Sequence, residues 1–442
     1  MGFVRTILMI VLVLPLIVTE AYAGSEIESL IKILHQNGTV NDEQYGRLLA
    51  ELEQNKKTQQ QQDRLEQQGK PEDVIAQLKG GPSVKTRDGA FEMKLSGRIQ
   101  VDAAAYSGRP MMGDGTEIRR AFLTLSGRMY TDWGYRFQYN FVNTGINGKG
   151  LLDAYTTYQG VEGVKFQIGN FRDPFILQEL TSDKYMTFNE RALTSAFASG
   201  RHIGLMASHV ENKGSWAIGL FGDTVSTRGG PNNEGWGANI RTTYSPINEK
   251  GRLIHLGLAA QYRDTGDTGE LRFRQQAETR ISGVNIIDTG IMSKTKDSLK
   301  IGAELATVYG PFSAQIEYID TEVHRNGFDN LNFNGWYAET AYFLTGESRQ
   351  YKKGRFSFPR PKFNVGEGGI GAWQLALRYS HIDLNDGLIN GGAADAVAFG
   401  LNWFATPTLR FTANYIDVLE VEGGPHGGTG PSIFQLRSQW AF

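Results

Sequence analysis

The 442-residue sequence contains no cysteine, which excludes a disulfide framework, a thiolate metal site and a cysteine nucleophile. Proline is scarce, with only 13 residues, so few positions are barred from donating to a strand ladder. No segment after the first twenty or so residues offers the roughly 20 consecutive apolar residues that a transmembrane helix needs. The formal net charge is only -2, which argues against a globally basic nucleic-acid binder and leaves electrostatic function to local placement of charge. Seven histidines, at 35, 202, 209, 255, 324, 381 and 426, show no metal-ligand spacing. No metal, cofactor or catalytic residue is therefore expected, and the chain does not read as an enzyme. The one hydrolase route left open is a Ser/His pair assembled in space. The glycine-rich segment Gly423–Gly430 follows a strand without opening a helix, so it reads as a hairpin loop rather than a phosphate cradle.

What is abundant is glycine (54), phenylalanine (24), tyrosine (18) and tryptophan (7), spread through one long strand-rich region. The start of the chain differs. Arg5, the apolar run Ile7–Val18 and Ala21-Tyr22-Ala23 form a secretory signal peptide over residues 1–23, with a small-x-small cleavage site before Gly24. Over 24–82 the apolar residues Ile27, Leu30, Ile31 and Leu34, then Tyr45, Leu48, Leu49 and Leu52, recur at helical spacing. Asn37-Gly38 breaks the first helix, and Thr39 or Asn41 is placed to cap the second, with Glu43 and Gln44 following. The glutamine-rich stretch 54–68 leads into a solvated, partly disordered periplasmic spacer over 56–82, with a short coiled coil on a multimeric protein as the alternative.

From Phe91 the period changes to two. Phe91, Met93, Leu95, Ile99 and Val101 share one strand face, and Glu92, Lys94, Ser96, Arg98, Gln100 and Asp102 share the other. The chain ends the same way: Phe434, Leu436, Trp440 and Phe442 alternate with Gln435, Arg437, Gln439 and Ala441. Polar side chains along an entire inner face suit a water-filled lumen, whereas a soluble barrel would fill it with apolar residues. The pattern predicts sixteen strands over 85–442. Their connections alternate tight (Thr131–Gly134, Gln159–Gly163, Glu211–Gly214, Gly310-Pro311, Thr406-Pro407) and long, as in outer-membrane barrels with short periplasmic turns. The predicted fold is all-β, a 16-stranded antiparallel transmembrane β-barrel behind an N-terminal periplasmic helical segment. Closure is required because strand backbone groups have no other partners in hydrocarbon.

Several motifs carry a family resemblance: Arg119-Arg-Ala-Phe-Leu123, Leu152-Asp-Ala-Tyr155, Thr187-Phe-Asn-Glu-Arg191, Gly310-Pro-Phe312, Ala341-Tyr-Phe-Leu-Thr-Gly-Glu347 and Gly400-Leu-Asn-Trp403. They resemble the phosphate-selective porins O and P over nearly the whole barrel, and leave the helical segment unmatched. The resemblance implies a bacterial outer-membrane homotrimer whose separate pores pass inorganic phosphate or other small anions. It also implies that Phe442 is the terminal aromatic read by the barrel-assembly machinery.

Arginine suits phosphate because its planar fork donates two parallel hydrogen bonds. The loop from Asn170 to Gly200 is too long for a simple turn and is expected to fold inward. By resemblance, the narrow site falls on Arg119, Arg120, Asp153 and Arg191, with Arg98 a weaker match; the alternative is a lumen salt-bridge network that holds the loop. Arg272, Arg274 and Arg280 match an outer vestibule ladder, or else contact anionic lipopolysaccharide. Arg349, Lys352, Lys353, Arg355, Arg360 and Lys362 form a run without a carboxylate, matching a periplasmic vestibule cluster or a solvated loop. The expected function is a passive, anion-preferring channel for phosphate or polyphosphate. The rivals are a general or saccharide-permeable pore and a plugged structural or adhesion barrel.

Overall fold

The computed structural model describes residues 23–68, 74–78, 80–109, 112–142, 150–225 and 233–442. The expected signal peptide, apart from Ala23, lies outside the described residues. The chain divides between Asp73 and Val74 into two compact units.

The first unit holds helices α1 (Ala23–Gln36) and α2 (Asp42–Gln68). Gly38 breaks the run at φ 71°, a left-handed conformation that suits glycine. Asn41 caps α2: its Oδ1 accepts the Gln44 N–H at 2.8 Å while Gln44 Oε1 accepts the Asn41 N–H at 3.1 Å, a reciprocal capping box. The His35 and Tyr45 rings stack at 4.2 Å. Residues 56–68 are helical rather than a disordered spacer, in keeping with the helix propensity of glutamine, lysine, arginine and glutamate.

The second unit is a closed barrel of sixteen antiparallel strands. We label them β1 (Glu92–Ser107), β2 (Gly115–Met129), β3 (Trp133–Asn140), β4 (Leu151–Val161), β5 (Val164–Arg172), β6 (Arg201–Val210), β7 (Gly214–Phe221) and β8 (Gly237–Glu249). The others are β9 (Arg252–Asp264), β10 (Thr295–Tyr309), β11 (Phe312–Arg325), β12 (Leu331–Phe343), β13 (Ala372–Asp386), β14 (Ile389–Phe404), β15 (Leu409–Glu422) and β16 (Ser432–Ala441). Each pairs with the next, and β16 pairs with β1 from Ser432↔Ser107 to Ala441↔Arg98, which closes the ring. All sixteen sequence-predicted strands are present. A hairpin of Val74–Gln77 and Ser83–Thr86 pairs onto the start of β1, so the strand-forming unit begins before residue 85.

The barrel is inside-out relative to a soluble protein. Ile168, Ile203, Leu205, Ile218, Leu220, Leu258, Phe399 and Phe434 are exposed on its outer face, while Gln100, Asp102, Gln167, Gln261, Glu304, Gln435 and Gln439 are buried within. The end where β1 begins and β16 finishes, called the near end below, has tight turns apart from the connection 344–371. Gly163, Gly251 and Gly310 sit there at φ 72°, 74° and 57°. Aromatic pairs rim this end: Trp133 with Tyr158, Trp373 with Trp403, Trp403 with Phe411, and Trp440 with Phe442. Such a girdle is characteristic of membrane barrels. At the far end, where the sequence predicts long connections, the one between β13 and β14 is tight, because the two strands extend to meet at Gly387-Leu388.

Three connections fold into the lumen: 173–200, as expected, and also 265–294 and 344–371. The first two meet in an apolar cluster in which Phe175, Ile176, Phe188, Leu193 and Phe197 join Phe273, Ala277, Ile286, Ile287 and Met292. That cluster covers the inward residues Ile319, Val323, Phe333, Ile382, Leu384, Ile416, Val418 and Ile433. The inner face is therefore not polar throughout, contrary to the sequence expectation: under this cluster the wall is apolar.

Candidate functional site

Alternation along β1, β2 and β16 points Arg98, Arg120 and Arg437 into the barrel, and the loop 173–200 brings carboxylates to them. Asp183 bonds Arg98 and lies 2.5 Å from Arg120 Nε. Glu190 accepts from Arg119 Nε and Nη2 at 2.8 and 3.0 Å, from Arg120 Nη1 and Nη2 at 3.4 and 3.5 Å, and from Arg437 Nη2 at 2.7 Å. Arg437 also forks onto Asp102 at 2.6 and 2.7 Å. The Arg98 guanidinium lies over the Phe122 ring at 4.2 Å. Four arginines and three carboxylates thus meet where the loop 173–200 lies against the wall.

The remaining constriction candidates sit elsewhere. Asp153 is not beside Arg119 or Arg120; it joins Arg136 Nε and Arg201 Nε, each at 2.7 Å. Arg191 staples the loop onto itself, donating to the carbonyls of Gln178, Glu179 and Thr181 at 3.2, 3.3 and 3.1 Å and pairing with Glu179 at 3.4 Å.

Between the loop and the β1–β8 wall, toward the near end, is an open cavity of about 560 Å³. Its lining carries eleven Lys and Arg residues against three Asp and Glu residues. Sequence reasoning identified Arg98, Arg191, Lys352, Lys353 and Arg355 among the eleven. It missed Lys165 and Arg201 as site residues, although Lys165 alternates with the outward Phe166 and Ile168 along β5. Lys352, Lys353 and Arg355 reach the cavity because the connection 344–371 inserts a small hairpin, Gln350–Lys352 paired with Arg355–Ser357. The hairpin is anchored by the buried Phe356 and by Tyr351 Oη against His255 Nδ1 at 2.7 Å. Two other members of the same basic run do not line this cavity. Arg349 lies 3.6 Å over Phe356 and donates to Gln315 and Glu339 at 2.7 and 3.3 Å, and Lys362 Nζ caps the Thr345 carbonyl at 3.3 Å.

On the far side, Arg272 forks onto Asp288. Burial acts to raise the Asp288 carboxyl but is outweighed by Arg272 and the Gly290 N–H, which hold it below its ordinary value. Arg274 and Arg280 are exposed. Although Arg280 is exposed as a residue, partial desolvation of its guanidinium and then the neighbouring Arg119 lower it, with Glu190 and Glu117 acting in the opposite sense. Arg280 therefore continues the basic path from Arg119 outward.

A closed sixteen-stranded barrel with an apolar outer face, a largely polar interior and a long infolded loop is the architecture of an outer-membrane porin. The family model "Phosphate-selective porin O and P" matches residues 93–442. The chain is 30% identical over 416 residues to Porin O of Pseudomonas aeruginosa, covering 84% of this chain and 93% of that protein. It is 32% identical over 364 residues to an uncharacterized protein of Caulobacter vibrioides, covering 78% and 71%. It belongs to the porin O and P family and resides in the bacterial outer membrane. Among solved structures, the anion-selective porin from Comamonas acidovorans aligns at TM-score 0.50 and 13% identity over 80% of this chain and all of the other. The DcaP channel of Acinetobacter baumannii aligns at 0.51 and 10%, over 81% and 99%. Both share the fold.

Proposed function

We propose that the barrel is a passive channel that prefers anions, with phosphate or a polyphosphate as the leading substrate class. The observation that carries this reading is the cavity lined by eleven cationic residues against three carboxylates. A water-filled vestibule with low-dielectric walls and a single sign of charge concentrates counter-ions and speeds their entry. Lys165, Lys352, Lys353 and Arg355 contribute charge with no carboxylate beside them among the described residues, and Arg274 and Arg280 extend the path on the far side. Weak, repeated sites of this kind permit binding without trapping. The family's name and that of the Comamonas porin agree with this reading.

A general pore is favoured by one observation, the near balance of charge at the constriction. Reversal potential in a planar bilayer under a salt gradient separates the two. We expect a clear anion preference, reduced when Lys352, Lys353 and Arg355 are replaced together by glutamine; a wild-type channel with no preference would refute the anion reading. Trimeric assembly is proposed on the family resemblance.

A further inference from the structure

We propose that Glu190 and Asp183 are specificity-determining residues: tethered carboxylates that occupy the guanidinium forks a permeating oxyanion would use, so that the oxyanion must compete with them. The inference rests on the anion-channel reading and deepens it. A carboxylate and a phosphate present the same paired oxygens to an arginine fork. Glu190 is held by three guanidinium groups, those of Arg119, Arg120 and Arg437. Asp183 bridges Arg98 and Arg120. This is the donor set of an oxyanion site, filled from within by the loop.

Two features separate this role from simple tethering. The loop is already anchored by bonds that use neither carboxylate. Thr187 Oγ1 donates to Glu339 at 2.7 Å, the Asn189 N–H to Asn414 Oδ1 at 2.9 Å, the Gln178 N–H to Glu317 at 2.7 Å, and Arg410 to the carbonyls of Met186 and Thr187 at 2.8 and 3.0 Å. Donor capacity is also left over, since Arg98 Nε is buried and has no acceptor. An internal competitor keeps the forks desolvated and oriented while lowering net affinity, which favours release and hence flux over capture.

The test is phosphate block of chloride current through the full-length channel in planar bilayers. Glu190→Gln keeps the side-chain shape but frees the guanidinium groups. It should lower the half-blocking phosphate concentration about tenfold, the effect of gaining one charge-assisted hydrogen bond. Arg119→Gln added to Glu190→Gln should abolish the gain, an outcome a purely structural role does not anticipate. If Glu190→Gln fails to insert, Asp183→Asn carries the same test at the Arg98–Arg120 pair. An anion-preferring wild type whose variants keep or raise the wild-type half-block overturns this inference alone. A wild type without anion preference overturns the functional reading and this inference with it.

Discussion

Glycines on the inner wall decide where the constriction loop can lie. A Cβ added at Gly302 would stand 2.7 Å from Ile176 Cγ2, at Gly335 3.3 Å from Thr194 Cγ2, and at Gly400 3.1 Å from Phe188 Cε1. At Gly302 the opposing atom belongs to a buried, packed side chain, so it cannot simply swing away. Gly302→Val should destabilise the protein by about 1–3 kcal/mol through overpacking. It should also shift the loop, measured as a lower heat-denaturation temperature of the detergent-solubilised protein together with altered single-channel conductance. Individual lumen residues were legible in the sequence because alternation fixes their face: Arg98, Gln100 and Asp102 were assigned inward and are buried. Their partners were not legible. The Arg98–Asp183 contact joins positions 85 apart and that of Arg437 with Glu190 positions 247 apart, and no local period encodes such pairings.

At the scale of elements, the two far-end loops act as one body, and Glu278 is their joint. It sits in the loop 265–294 at φ 54°, a strained conformation for a residue with a side chain. Its Oε1 accepts the Leu193 N–H at 3.1 Å and Ser380 Oγ at 2.6 Å, while its Oε2 is held by the Arg378 fork. Arg378 in turn donates to the Glu190 carbonyl at 3.1 Å, so an outer loop positions the constriction. Glu278→Ala removes the nearer carboxylate from the buried Arg378 and leaves it only Glu339, 3.9 Å away, which costs about 3 kcal/mol, the lower end for breaking a buried pair. The expected outcome is a lower unfolding temperature and a noisier open-channel current; unchanged noise would show that the loops are not coupled. The length of connection 173–200 announced an infolded loop, but the infolding of 265–294 and 344–371 was not announced. Their apolar anchors, such as Ile286, Ile287 and Phe356, follow no period that separates them from ordinary loop residues.

At the scale of the molecule, charge is partitioned. The constriction is nearly neutral because loop carboxylates answer its arginines, and the excess of positive charge lies in the solvent-filled cavity toward the near end. The closed barrel and its inside-out faces followed from alternation and strand count, since both are repeated in every strand. The partition did not, because it depends on which loop charges meet which wall. It has a measurable consequence. Selectivity set by exposed cavity charges acts across water and is screened, with a Debye length of about 10 Å at 0.1 M salt and about 3 Å at 1 M. Selectivity set by buried forks is screened much less. The anion-to-cation permeability ratio should therefore be high when the gradient is run at or below roughly 0.1 M and fall toward unity near 1 M. The triple glutamine variant at Lys352, Lys353 and Arg355 should flatten that dependence. A ratio that holds at high salt would move the origin of selectivity from the cavity to Arg119, Arg120 and their buried neighbours.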